Sequence, residues 1–255
     1  MKTVGIVGAY GFIGGHLSSR YLNVRKYGRD NISELSRDNS DLIVIAAAPA
    51  KKWIANSNPE ADLLNIQNLV NSVKCIGDKP CVLISTIDVF PVGELFDEAA
   101  ELPLVHPEGY GTNRGHLEKE LSKHLSNLRI IRLPGMYGPG LKKNLIFDLK
   151  HGKNAPIINP LSKFQFYDVR SLPGHIALLL ENEFKILNLA TEPILVEEIY
   201  NFCFNSIAPD NEVTRFQYRM TTKYASQLAG RDGLYLFSKA EILAGIQQWL
   251  LSSSS

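Results

Sequence analysis

The chain has 255 residues, 45% of them hydrophobic, with 27 Lys and Arg against 26 Asp and Glu for a formal net charge of +1. That is the composition of a globular protein of one large domain or two joined ones, without the basic surplus nucleic-acid binding draws on and without an apolar run near the roughly 20 residues of a membrane span. Met1-Lys2-Thr3-Val4 runs straight into a strand pattern with no secretory leader, and three scattered cysteines, Cys75, Cys81 and Cys203, suit a reduced cytoplasmic setting.

Residues Thr3 to Val7 form a short apolar run that Gly8 ends. From Phe12 the spacing turns helical, with Ile13, Leu17 and Tyr21 on one face. Val24 to Tyr27 reads as a second strand. Asp41 to Ala48 is continuously apolar after its first residue, as a strand buried on both faces of a parallel sheet requires. Glu60 to Val73 predicts a helix, and Cys81 to Ser85 a further buried strand. Tyr110 to Leu125 predicts a helix striped by Leu117, Leu121 and Leu125, before a strand from Leu128 to Leu133. This alternation predicts an α/β fold with a Rossmann-type doubly wound parallel sheet. After Pro134 the pattern loosens. Gly135, Gly138, Pro139, Gly140, Pro156 and Pro160 mark loops, helices fall near 174–182, 195–206 and 238–250, and the tail Ser252 to Ser255 is expected to fray.

Between the first strand and the first helix stands Gly8-Ala9-Tyr10-Gly11-Phe12-Ile13-Gly14, a G-x-x-G-x-x-G loop. Gly8 permits the tight turn, Gly11 a close backbone approach to a pyrophosphate, and Gly14 close packing of helix on strand, while the amides of Phe12 and Ile13 open the helix toward the phosphates. Three spaced glycines also make structural turns; the strand before and helix after favour a dinucleotide site. The end of the second strand selects the dinucleotide, since an acidic residue there binds the ribose of NAD and repels a 2′-phosphate. Gly28 falls at that position and Arg29 beside it offers a guanidinium, which points to NADP. In the alternative, Asp30 is a ribose ligand for NAD and the basic residues Arg25, Lys26 and Arg29 are a solvated loop.

With this loop, Asp41 to Ala48, Asn65, Ile84-Ser85-Thr86-Ile87-Asp88-Val89-Phe90, Tyr110-Gly111-Thr112-Asn113-Arg114, Arg132 to Gly140 and Asn188-Leu189-Ala190-Thr191 in order, the chain resembles the extended short-chain dehydrogenase/reductases, the NAD(P)-dependent epimerase/dehydratase group. The resemblance implies hydride chemistry on a nucleotide-linked sugar, by an epimerase or a ketosugar reductase. Tyr110 is then the general acid/base, Thr86 binds the same substrate oxygen, and Asn65 supports the proton relay. Ala46, Ala47 and Pro134 fall at positions that line the cofactor, and Asp88, Tyr137 and Asn144 at positions that meet the substrate. It further implies that residues 1–134, joined by 166–190, bind the dinucleotide, and that 135–165 and 191–255 bind the substrate. A homodimer through the helices beginning near Glu60 and Tyr110 follows too, with Leu63, Leu64, Leu69, Val70 and Val73 as its apolar surface.

The chain departs from its apparent relatives in three places. Their Y-x-x-x-K is here Tyr110-x-x-x-Arg114, which keeps a cation on the same helical face, able to bind the nicotinamide ribose but not to relay a proton. The dehydratases' Thr-Asp-Glu reads Thr86-Ile87-Asp88, which disfavours dehydration. Arg170 and Ser171 stand where acidic residues are usual. The literal Y-x-x-x-K at Tyr235 to Lys239 is a chance match, no metal-ligand set emerges from the six histidines, and Glu98 reads by default as a solvated loop carboxylate, although it matches an acidic position common in the family it resembles. The rival to an enzyme is a non-catalytic NADP-binding redox sensor that has lost the lysine.

Overall fold

The structure, a computed structural model, describes residues 2–151, 158–230 and 232–252. Its elements in chain order are β1 (Val4–Val7), α1 (Phe12–Ser18), β2 (Val24–Tyr27), β3 (Leu42–Ile45), α2 (Lys52–Ser57), α3 (Pro59–Val73), β4 (Cys81–Thr86), β5 (Leu95–Phe96), α4 (Gly109–His124), β6 (Leu128–Leu133) and β7 (Gly135–Tyr137). There follow α5 (Leu145–Lys150), β8 (Lys163–Phe164), β9 (Phe166–Asp168), α6 (Leu172–Glu181), β10 (Ile186–Asn188), β11 (Ile194–Leu195), α7 (Val196–Phe204), β12 (Arg219–Met220), α8 (Ala225–Ala229) and α9 (Lys239–Ser252). The loop marker Pro156 and the tail beyond Ser252 lie outside the described residues. Two compact units emerge: Met1–Pro91 with Glu101–Arg132 and Leu172–Leu187, and Val92–Ala100 with Leu133–Ser171 and Asn188–Ser255.

The first unit is built on a sheet that has six strands among the described residues, in the order β10-β6-β4-β3-β1-β2. Strand β1 runs parallel to β2 and to β3, and β3 runs parallel to β4. Parallel neighbours need crossover connections, and the helices between the strands supply them. All four residues of β1 and of β3 are buried, which explains the unbroken Leu, Ile and Val run of β3 and the lack of any polar side chain in β1. On one face, Ile43, Ile45 and Leu83 meet Ile66, Val70 and Val73 of α3 and the expected stripe Leu117, Leu121 and Leu125 of α4. This is the doubly wound architecture that the alternation predicts.

Three local expectations are corrected. Helix α1 stops at Ser18, short of Tyr21, because Gly14 and Gly15 weaken it and the Ser19 hydroxyl donates to the His16 carbonyl at 2.7 Å, competing with the next turn. Strand β3 stops at Ile45, since the Ala46 carbonyl turns toward the glycine loop. The apolar excess expected on α3 is not there: Leu69, Val70 and Val73 are spent in the core, Leu63 is half-buried, and of the five only Leu64 is exposed, among the polar Asn65, Gln67, Asn68 and Asn71.

In the second unit the described residues form two-stranded sheets, β11 antiparallel to β8, β12 parallel to β5, and β7 parallel to β9, with isolated bridges from Lys163 to Gln217 and from Thr191 to Phe237. Their core gathers Tyr137, Ile146, Phe166, Ile199, Ile246 and Trp249. Glu98 is buried here, not solvated. It accepts from the Asn188 amide at 2.8 Å, the Thr222 hydroxyl at 2.6 Å and the Lys223 amide at 3.0 Å, and those donors offset the cost of removing a carboxylate from water. Arg170 folds back on Asp168 at 2.6 Å, so this departure is answered within its own turn. Among the described residues, no helix is long and apolar enough to cross a membrane.

Gly14 tests the packing of α1 on β1. A Cβ there would lie 2.1 Å from the Gly8 carbonyl oxygen. Alanine inside a helix ordinarily stabilises by about 0.5–1 kcal/mol over glycine. Gly14→Ala is expected to destabilise instead, by about 1–3 kcal/mol through overpacking, read as a lower urea midpoint; an unchanged or raised midpoint contradicts the packing.

Candidate active site

The glycine loop has the shape its spacing implies. Gly8 adopts φ +86°, and a Cβ on it would lie 2.5 Å from the Ala46 carbonyl oxygen, so the loop rests directly on the end of β3. Ala46 and Ala47 are half-buried beside it. A Cβ on Gly11 would meet only the Gly8 carbonyl oxygen, at 3.3 Å, so the outer side of the loop is open. No side chain caps α1, which leaves the first-turn amides of Phe12 and Ile13 for a ligand or solvent.

Beyond β2, Asn31 fixes the turn: its side-chain oxygen accepts from the Gly28 amide at 2.8 Å and its amide donates to the Lys26 carbonyl at 3.0 Å. The exposed Tyr10 ring lies over Gly28, where a Cβ would stand 2.8 Å from a ring carbon. Any side chain at position 28 displaces that ring, a constraint the glycine spacing alone does not reveal. Arg29 is exposed.

Tyr110 sits in the first turn of α4, buried at 8% exposure. Its amide donates to the Asn56 side chain of α2 at 2.8 Å, which caps the helix start. The next residue has to be small: a Cβ on Gly111 would lie 2.4 Å from the Asp88 carbonyl oxygen and 2.2 Å from the His106 ring. Helix α4 thereby comes directly against the turn that follows β4, where Thr86 accepts from the Asp88 amide at 3.2 Å and its hydroxyl donates to the Asp88 carboxylate at 3.3 Å. Burial pushes the Tyr110 phenol above its ordinary value; Arg114 and Lys52 pull it down and Asp88 pushes it up, and burial prevails.

Arg114 is beside Tyr110 as expected, its guanidinium carbon 4.3 Å from the ring centroid. The nitrogens expected to hold a ribose are engaged within the fold. The two terminal nitrogens bond the Asp62 carboxylate at 2.9 and 3.0 Å, and one also donates to the Pro49 carbonyl at 2.6 Å, with Arg114 only 2% exposed. Asp62 also accepts from Asn113 at 2.9 Å. It occupies the first turn of α3, which begins with Asn58 as cap and Pro59, a place where the helix dipole favours a carboxylate. One turn along α4, Glu118 is paired with Arg132 of β6 at 2.8 Å and accepts from the Ser85 hydroxyl at 2.5 Å.

Other expected residues fall elsewhere. Asn65 is exposed and its amide turns back on the Ala61 carbonyl at 2.9 Å, so the relay role implied for it is not met; Asp62, one turn earlier, faces α4 instead. Tyr137 is 2% exposed in the second unit's core, its hydroxyl against α9 where a Cβ on Gly245 would lie 2.3 Å away, so it is packing rather than a substrate contact. Asn144 caps α5, accepting from the Phe147 amide at 2.9 Å and donating to the Met136 carbonyl at 2.7 Å, which uses the groups a substrate would need. Pro134 is buried just after β6. Asp88 is ion-paired with Lys52 at 2.8 Å, and Lys52 also meets Glu108 at 2.6 Å. The sequence reading missed Asp62, Lys52 and Glu118; an arginine inside a helix predicted to face the sheet was the available sign that a buried carboxylate stood opposite.

Asp62→Asn leaves the Arg114 charge buried and unpaired, and is expected to cost about 3–5 kcal/mol. Asn65→Ala, at an exposed position, is expected to stay within about 0.5 kcal/mol. Urea unfolding of both compares them directly; equal effects contradict the assignment.

No family model and no curated protein matches the chain. Solved structures do. It is similar to a dTDP-4-dehydrorhamnose reductase from Bacillus anthracis in complex with NADP, at 16% identity and TM-score 0.80 over 98% of this chain and 99% of that one. It is similar to TunA, an NAD-dependent NDP-hexosamine 5,6-dehydratase of tunicamycin biosynthesis, at 18% identity and TM-score 0.77 over 100% and 99% of the chains. The third is MoeE5 in complex with UDP-glucuronic acid and NAD, at 20% identity and TM-score 0.75 over 98% and 99%. Across almost the whole chain, the likeness is one of fold.

Proposed function

We propose that the protein is an NADP-dependent enzyme that reduces or epimerises a nucleotide-linked sugar, with Tyr110 as acid/base and Thr86 binding the reacting oxygen; NAD is the alternative cofactor. The observation that carries this reading is the buried Tyr110 at the head of α4, whose neighbour Gly111 packs on the turn after Thr86. The glycine loop is open on its outer side and fits a pyrophosphate. Residues Gly8 to Gly14 would hold the phosphates, Ala46 and Ala47 would line the cofactor, and Arg29 would meet a 2′-phosphate. Structures of like fold that hold NADP, or UDP-glucuronic acid with NAD, support both ligand classes.

A nicotinamide, when bound, supplies or accepts the hydride. This chain's part is the proton. Because burial holds the Tyr110 phenol above its ordinary value, it is protonated at neutral pH and stands ready to donate to a carbonyl oxygen. The resting enzyme is thus set for reduction of a ketosugar. In the reverse direction the phenol must first lose its proton, so oxidation of the alcohol is expected to speed up as pH rises while reduction stays level through neutral pH. A reduction rate that falls through neutral pH contradicts this.

The sensor reading draws on one observation, the commitment of Arg114 to Asp62. Turnover of a panel of nucleotide sugars with NADPH separates the two. Tyr110→Phe is expected to lower turnover by about 10²–10⁴-fold while leaving NADP affinity nearly intact, and an active Tyr110→Phe protein removes the mechanism. Arg29→Ala is expected to weaken NADP but not NAD; equal affinities before and after overturn that assignment.

A further inference from the structure

The glycine at the end of β2 has its cause in a neighbouring side chain. Gly28 is not among the glycines at positive φ, so its backbone admits a side chain. What an added Cβ would meet is the Tyr10 ring, two of whose carbons would lie 2.8 and 2.9 Å away. The next nearest atom, the Asn31 side-chain oxygen at 4.0 Å, is an ordinary contact. The ring, and not the turn, calls for glycine here.

Backbone hydrogen bonds hold the two positions together. The amides of Gly8 and Ala9 both donate to the Tyr27 carbonyl, at 2.9 and 3.3 Å. The residue after Ala9 is thereby brought beside the residue after Tyr27. Tyr27 is itself buried with its hydroxyl donated to Asp38, and Asn31 holds the Gly28 amide at 2.8 Å, so the strand end is anchored on both sides of the peptide. Against this fixed backbone the Tyr10 side chain is still 73% exposed. It stands between the loop suited to a pyrophosphate and the strand end where the adenosine ribose of a dinucleotide is read. Most of a large aromatic surface is left there for a ligand to cover.

We propose that Tyr10 and Gly28 form a single specificity element for the adenosine end of the dinucleotide, the ring taking the place of the acidic side chain that NAD-binding strands carry. The proposal rests on the reading of the glycine loop as a dinucleotide site. The ring gives the adenosine a neutral surface to pack on. It also keeps position 28 free of a carboxylate that would repel a 2′-phosphate, while the exposed Arg29 offers its guanidinium from the next residue. Neither residue does this alone: a side chain at 28 displaces the ring, and without the ring the glycine has no partner.

The test is a double-mutant cycle on the full chain, read by calorimetric titration with NADP and with NAD. Tyr10→Ala and Gly28→Ala are each expected to weaken NADP by about tenfold, within the range an aromatic surface under a nucleotide contributes. Together they are expected to cost no more than either alone, because both remove the same ring contact. Tyr10→Phe, which keeps the ring, is expected to bind NADP within about twofold of the unaltered chain. Gly28→Asp is expected to weaken both dinucleotides while Tyr10 is present, and to turn the preference to NAD only when combined with Tyr10→Ala. An unchanged or tighter NADP affinity in Tyr10→Ala, additive losses in the double variant, or an NAD preference in Gly28→Asp alone overturns the proposal and leaves the cofactor reading standing. An unaltered chain that binds neither dinucleotide overturns the cofactor reading as well, so the two failures are told apart.

Discussion

Helix α4 carries two buried ion pairs one turn apart, Arg114 with Asp62 of α3 and Glu118 with Arg132 of β6, and every group in each pair is at most 6% exposed. Taking four charges out of water is costly, and close bidentate geometry with further hydrogen bonds offsets it: Asn113 donates to Asp62, Ser85 donates to Glu118, and the Pro49 carbonyl accepts from Arg114. Such pairs are exacting about geometry, because removing either partner leaves an uncompensated charge. They therefore fix the rotation of α4 about its axis as well as its place on the sheet. That rotation sets the Tyr110 ring against the Arg114 guanidinium, and Gly111 permits the close approach of the helix to the turn after β4.

The same constraint explains the departure at position 114. A lysine can bond Asp62 only as a point charge, whereas the planar guanidinium spans both carboxylate oxygens and still reaches the Pro49 carbonyl. Arginine at this position is thus a consequence of Asp62 at the head of α3. The guanidinium still lies 4.3 Å from the Tyr110 ring, while Lys52 of α2 bridges Asp88 and Glu108.

Much of the sheet was legible in the sequence because its signals are local: apolar runs in β1, β3 and β4, the Leu117, Leu121 and Leu125 stripe, and glycines at 8, 11 and 14 whose missing side chains match close backbone approaches. What escaped depends on partners distant in the chain. Arg114 on a sheet-facing helix signals a buried carboxylate but not which one, since Asp62 is 52 positions away, and the exposed Asn65 drew the relay role because it matched a motif position. Glu98 looked solvated until Asn188, Thr222 and Lys223 closed on it from some 90 to 125 positions away. Tyr137 and Asn144 occupy family-like positions, yet core packing and helix capping claim their side chains. Helix α2, six residues with only Ala55 buried, has too little periodicity to be seen in advance, and it is the element that brings Lys52 and Asn56 to the site.

The central claim is that Arg114 is bound to the fold and not to the cofactor. The most direct measurement is a crystal structure of the protein with NADP bound. The account predicts a guanidinium still bidentate on Asp62, with the ribose of the nicotinamide held by other groups. A guanidinium released from Asp62 and bonded to the ribose hydroxyls would contradict it.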